Sequence, residues 1–147
     1  MSRALLLCAA LALLTSPALA ELPPLSKEQL EQQASHIVHG RVVEVYTAQR
    51  QKDSSEFADT LYAIELAVDG VDKGEGIKDG QQIFIRTWKA SRRPRGWAGP
   101  GGQSQIPRRN QDVTVYLVNK DGGYDVLIPN GLVIQKTTSG SKDGTDQ

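Results

Sequence analysis

Residues 60–68 read TLYAIELAV, and this stretch decides the class of fold. Tyr62, Ile64, Leu66 and Val68 fall on one side of an extended chain, and Leu61, Ala63, Glu65 and Ala67 on the other. Successive side chains of a strand point to opposite faces, so this spacing predicts a strand with one apolar face. Upstream, residues 37–46 read IVHGRVVEVY and form a second strand-like run rich in β-branched side chains. Its alternation is broken at Gly40, where a bulge or sharp bend is expected. The polar stretch Thr47 to Glu56 reads as a loop between the two strands, and residues 69–80 as a glycine-rich turn.

Downstream, Gln81 to Trp88 alternates Ile83, Ile85 and Thr87 with Phe84, Arg86 and Trp88. Asp112 to Val118 places Val113, Val115 and Leu117 on one face. Asp121-Gly122-Gly123 then turns the chain into Tyr124 to Ile128, and Leu132 to Ile134 can add a short last strand. One helix is expected near the start. Ser26 is a suitable N-cap, Gln29 completes a capping box, and Leu25 with Leu30 fits a hydrophobic staple. Five main strands, turn signals and one short N-terminal helix predict an all-β barrel or sandwich with a single core, spanning residues 21–136.

The two ends read differently. Met1-Ser2-Arg3, the apolar run Ala4 to Leu14 and the A-x-A site Ala18-Leu19-Ala20 predict a signal peptide over residues 1–20, cleaved after Ala20. The run is too short for a bilayer-spanning helix of ~20 residues. Export to the periplasm or the exterior follows, with no transmembrane segment expected. Residues 137–147 carry no apolar side chain and are expected to be a disordered tail. Cys8, the one cysteine, lies in the leader, so disulfides and thiolate metal sites are excluded from the exported domain. The chain has equal numbers of acidic and basic residues. Global charge therefore calls for no specific nucleic-acid partner.

The run Ala34 to Val42, ASHIVHGRV, resembles the opening of small exported bacterial proteins with an OB-like barrel, distantly similar to netrin-like domains and tissue inhibitors of metalloproteinases. The resemblance continues through the Tyr62 strand, the turn near Gly74 and the Pro129-Asn130-Gly131 close. It implies a five- to six-stranded OB-like barrel. The animal inhibitors place an N-terminal cysteine amine on a catalytic zinc, and a cysteine-free domain cannot do so.

Charge is unevenly placed. Arg86 to Asn110 holds seven Lys or Arg, two tryptophans and no acid, and its prolines and glycines read as a long loop. Arg92, Arg93, Arg95 and Trp97, supported by Trp88, Arg108 and Arg109, are the candidate ligand-binding residues. Guanidinium groups favour planar anions, and indole rings stack on sugars or bases. The expected partner is an anionic ligand such as a glycan or polyanion, or an envelope protein bound through an Arg/Trp surface. The same residues fit a solvated loop whose arginines pair with acids elsewhere and whose tryptophans cap the core. His36 and His39, expected to be surface or edge residues on opposite sides of a strand, have no further ligands nearby, so no metal or cofactor is expected. No nucleophile motif occurs, and a non-enzymatic domain is expected. A hydrolase would have to assemble carboxylates such as Glu44, Asp59 or Glu65 in space.

Overall fold

The computed structural model describes residues 22–51 and 55–136; the expected signal peptide and tail lie outside them. A helix, α1 (Lys27–Gln33), is followed by strands β1 (His36–Gln51), β2 (Ala58–Lys73), β3 (Gln82–Arg92), β4 (Asp112–Lys120), β5 (Gly123–Val126) and β6 (Leu132–Ile134). Ser26 caps α1 with the expected capping box, and Leu30 and Ala34 bury one side of the helix against Ile37 and Tyr116, with Leu25 packed on the same cluster. No helix among the described residues is long and apolar enough to cross a membrane.

The hydrogen-bonded strand order is β1-β2-β3-β5-β4, and β1 also pairs with β4, which closes the sheet into a ring. β3 and β5 run parallel at Ile85 and Arg86, and the other pairings are antiparallel. The result is a small all-β barrel, with β6 added beside β4. The alternation read from the sequence sets the core. Ile64, Leu66 and Val68 meet Ile83, Ile85, Val113, Val115 and Leu117 inside the ring. Gly40 lies at a register shift of the β1–β2 ladder. A Cβ there would collide with the Ala67 carbonyl oxygen and approach Leu66 Cγ to 2.9 Å, so the close strand approach requires glycine.

The first three strands are longer than the sequence predicts. Thr47 to Gln51 is strand rather than loop, and it pairs with Tyr62 through Ala58. β2 begins at Ala58 and continues through the expected turn to Lys73, while β3 runs on to Arg92. These added residues extend beyond the β3–β5 pairing, which ends at Arg86, as a three-stranded arm. Most of its polar side chains are exposed, Asp59 being the buried exception, and its backbone bonds come from neighbouring strands, which a polar composition does not signal.

Candidate functional site

Strand register defines the outer surface of the arm. Tyr46, Ala63 and Arg86 form one row across β1, β2 and β3, and Ala48, Leu61 and Trp88 form the next. Both rows alternate with the core residues Ile64 and Ile85, so they face away from the core. A cleft of about 640 Å³ is lined by these two rows and Arg50, by Tyr62 and Thr87 from the opposite, core-side face, and by Lys120, Asp121 and Asp125 of β4, the β4–β5 turn and β5. Three aromatic side chains and several charged groups share its lining.

The candidate basic residues do not share one surface. Arg93 turns inward onto β2. One of its terminal nitrogens donates to Asp59 Oδ1 and the other to the Ala58 carbonyl at 2.9 Å, while its guanidinium carbon lies 5.8 Å from the Phe57 ring centre and 5.9 Å from that of Trp88. Asp59 is only 1% exposed and also accepts from Arg50 Nη2 at 2.8 Å. Burial pushes the Asp59 carboxyl up, but hydrogen bonds and charge from the two guanidiniums outweigh it and hold it below the usual carboxylate range. Arg93 is thus occupied as a brace. It pins the first residues of the basic loop to the arm.

Trp97 is 43% exposed, with its ring edge-on to Phe57 at 5.1 Å. It folds over Gly99, where any Cβ would strike the indole. A turn places it: Trp97 N–H donates to the Pro94 carbonyl, and Gly96 at φ 78° supplies the left-handed residue. Trp97, Phe57, Arg93 and Trp88 therefore form a layered stack at the arm's end. Trp88 is half-buried and lines the cleft. Arg92 and Arg95 are exposed near the same end, and Arg92 Nη1 donates to the Ser55 carbonyl at 2.8 Å.

Arg108 and Arg109 stand elsewhere. Arg109 lies 3.7 Å from Glu44, and Asn110 and Gln111 hydrogen-bond to Val42 of β1. Glu44 is seven residues from Gln51, which pairs opposite the start of β2, so the two basic groups are roughly 23 Å apart along the strand. Arg86 is paired with Asp125 at 2.6 Å. None of the ion pairs among the described residues involves Arg92, Arg95 or Arg108.

The rest of the loop is ordered against β3. Gly102 forms a bridge with Lys89, Ala90 N–H donates to the Gly101 carbonyl, and Gln103 N–H donates to that of Trp88. Sequence reasoning weighted the loop and missed the cleft beside it. Tyr46, Leu61 and Tyr62 read from the sequence as strand residues alone; Leu61, a large apolar side chain on the face opposite Ile64, is the one local signal of the cleft.

The remaining candidates fall into place around this surface. His36 is buried rather than at the surface, edge-on to Tyr124 at 5.1 Å. Its β-strand position turns it into the space beside Gly74, where a Cβ would overlap its ring. His39 hydrogen-bonds Asp72 Oδ2 at 2.6 Å and Thr114 Oγ1 at 2.8 Å. No group of three or more His, Cys, Asp or Glu able to hold a metal is found among the described residues. Glu44 and Glu65 are direct cross-strand partners, and Tyr46 Oη donates to Glu65 at 3.4 Å. Asp59 is committed to its arginines. Comparison with protein-family models, with curated proteins and with solved structures finds no match.

Proposed function

We propose that the domain is an exported, non-catalytic binding module that holds an extended, acid-bearing glycan along the arm. The observation that carries this reading is the cleft beside β1, β2 and β3, with Tyr46 and Trp88 in its lining and Arg50, Arg86 and Lys120 beside them. Sugar rings stack on such aromatic faces, and arginines held in place by carboxylates present rigid donors to hydroxyls and uronates. Arg92 and Arg95, which form no ion pair among the described residues, would meet acidic groups that extend past the cleft. The resemblance to exported OB-like and netrin-like domains supports a binding role in the cell envelope or outside the cell.

The test is titration of the domain with a galacturonate hexamer, followed by calorimetry. Binding should fall at least tenfold in Tyr46→Ala, whose exposed ring has no core packing to lose. Absence of binding to any uronate oligosaccharide would refute the proposal. A second reading, a protein-interaction subunit or inhibitor, is favoured by one observation. Tyr46 and Phe84 form an exposed aromatic pair, 6.3 Å between ring centres, of the kind found at interface centres. Loss of an envelope-protein partner in Phe84→Ala, with glycan binding unchanged, would select it. Release of shortened sugars by the wild type but not by Glu65→Gln would instead establish a hydrolase.

A further inference from the structure

β1 has a sheet edge that β4 leaves open. β4 pairs with β1 only from His36 to Arg41, and the chain ahead of β4 covers Val42, which exchanges backbone bonds with Asn110 and Gln111. The register shift between Val42 and Glu44 inserts one residue and swaps the two sides of the strand. Past it, Val45 N–H turns away from β2 and donates to Glu44 Oε1 at 3.1 Å. Backbone groups of successive residues alternate between the two edges of a strand, so those of Thr47, Gln49 and Gln51 point the same way as those of Val45. On that side no other backbone partner meets Val45 to Gln51 among the described residues, and Tyr46 to Gln51 are all exposed. The opposite border of the arm is covered, because Gly101 to Gln103 bond to Trp88 and Ala90 of β3. Edges that must stay single are blunted by lysine, proline or a covering loop, whereas residues 45–51, VYTAQRQ, hold a lone charge and no proline.

From this edge we infer that two copies of the chain pair antiparallel through residues 45–51 of β1, joining their arms into one continuous sheet. The edge is its own complement. A two-fold axis through Ala48 sets Val45 opposite Gln51 of the partner subunit, Thr47 opposite the partner's Gln49 and Tyr46 opposite the partner's Arg50. Every residue whose backbone faces outward then meets another of the same kind, as an antiparallel ladder requires. The residues that meet on the axis are alanines, small enough for the close approach of a non-hydrogen-bonded pair. No like charges face each other, and the Tyr46 ring receives a guanidinium. Pairing exchanges the Val45–Glu44 bond for one within the new ladder. A contact between matching edges closes at two copies. An edge of this length buries less than the ~1,200 Å² of standard interfaces, so the dimer is weak and depends on concentration. Tyr46 and Arg50 also line the cleft, so pairing sets two clefts side by side and lets one long ligand engage both.

The dimer does not depend on the glycan reading, and its test contains no glycan. Sedimentation equilibrium is run on the chain from Glu21 to Gln147 at micromolar to millimolar concentrations, with Thr47→Pro beside the wild type. The Thr47 N–H points away from β2, so proline there removes an edge donor and leaves the ladder to β2 intact. The wild-type mass should rise from one chain to two and stop. Thr47→Pro should associate at least tenfold more weakly while its Tm stays near that of the wild type. Cysteine variants give a second reading that does not need proline to be tolerated, since the chain from Glu21 contains no cysteine. Under mild oxidation Ala48→Cys should form a disulfide-linked dimer, because the paired positions lie within disulfide reach. Gln51→Cys should link at least tenfold more slowly, its two copies being roughly 20 Å apart in this register. A single-chain mass at every concentration would overturn the dimer, and so would assembly beyond two chains. Association undiminished in a folded Thr47→Pro, or equal cross-linking of the two cysteine variants, would overturn it as well. A full chain that stays single while one ending at Lys136 pairs would show that residues 137–147 occupy the edge instead, which also refutes the proposal.

Discussion

Removing the Arg93 guanidinium should release the basic loop from the arm, and the structure sets the size of the effect. The side chain donates to Asp59 and to the Ala58 and Arg92 carbonyls, and it is stacked between Phe57 and Trp88. It is mostly buried, and Asp59 is almost fully so. In Arg93→Ala, Asp59 would keep only Arg50, whose side chain is half exposed. Breaking a buried ion pair by deleting one partner costs about 3–5 kcal/mol; the retained Arg50 favours the lower end, about 3 kcal/mol. For a domain of this length that lowers Tm by roughly 12 °C. Arg50→Ala removes the exposed member of the same cluster and should cost about 1 kcal/mol, roughly 4 °C. Differential scanning calorimetry of the two variants at neutral pH reads both numbers. If Arg93→Ala falls no further than Arg50→Ala, Arg93 is not the brace, and its placement between the rings carries no stability. The loop should also become accessible, so limited trypsin digestion near Arg95 should accelerate in Arg93→Ala alone.

Other outcomes follow from the same geometry. Because Asp59 titrates below the usual carboxylate range in the folded protein, its contribution is full above the unfolded value near pH ~3.9 and is lost as pH falls through the lower folded value. The Tm gap between wild type and Asp59→Asn should therefore be constant from neutral to mildly acidic pH and narrow below about pH 4. Gly40→Ala forces a Cβ into the Ala67 carbonyl, which the strand pairing holds in place, and should destabilise by roughly 1–3 kcal/mol in urea unfolding. Joint replacement of Arg92 and Arg95 by alanine should weaken retention on a polygalacturonate column and flatten its salt dependence. Arg108→Ala, at the other end of β1, should leave retention unchanged.

Much of the barrel was readable because burial imposes a period of two. Tyr62, Ile64, Leu66 and Val68 announced the inner face of β2, and Val113, Val115 and Leu117 that of β4. The Ser26–Gln29 capping box was equally local. What the sequence concealed depends on partners distant along the chain. Thr47 to Gln51 is polar because it faces water, and its strand character comes from pairing with β2. The basic run is contiguous in sequence, yet Arg93 finds Asp59 on β2 while Arg109 finds Glu44 on β1, so folding distributes the charge. The cleft is hidden for the same reason. It exists only when Tyr46, Leu61 and Trp88 are brought side by side from three strands.

The ring is sealed by β1 against β4, where His36 meets Leu117 and Arg41 meets Asp112. These contacts are far more remote in sequence than the β1–β2 and β2–β3 hairpins, and remote pairings form slowly because loop closure must precede them. During synthesis the first three strands can assemble as a meander before β4 emerges, with one border of β1 unprotected until the end. A fragment ending before Asp112 should therefore associate with itself through that border, whereas the full domain, once sealed, offers no such border there for growth into fibres.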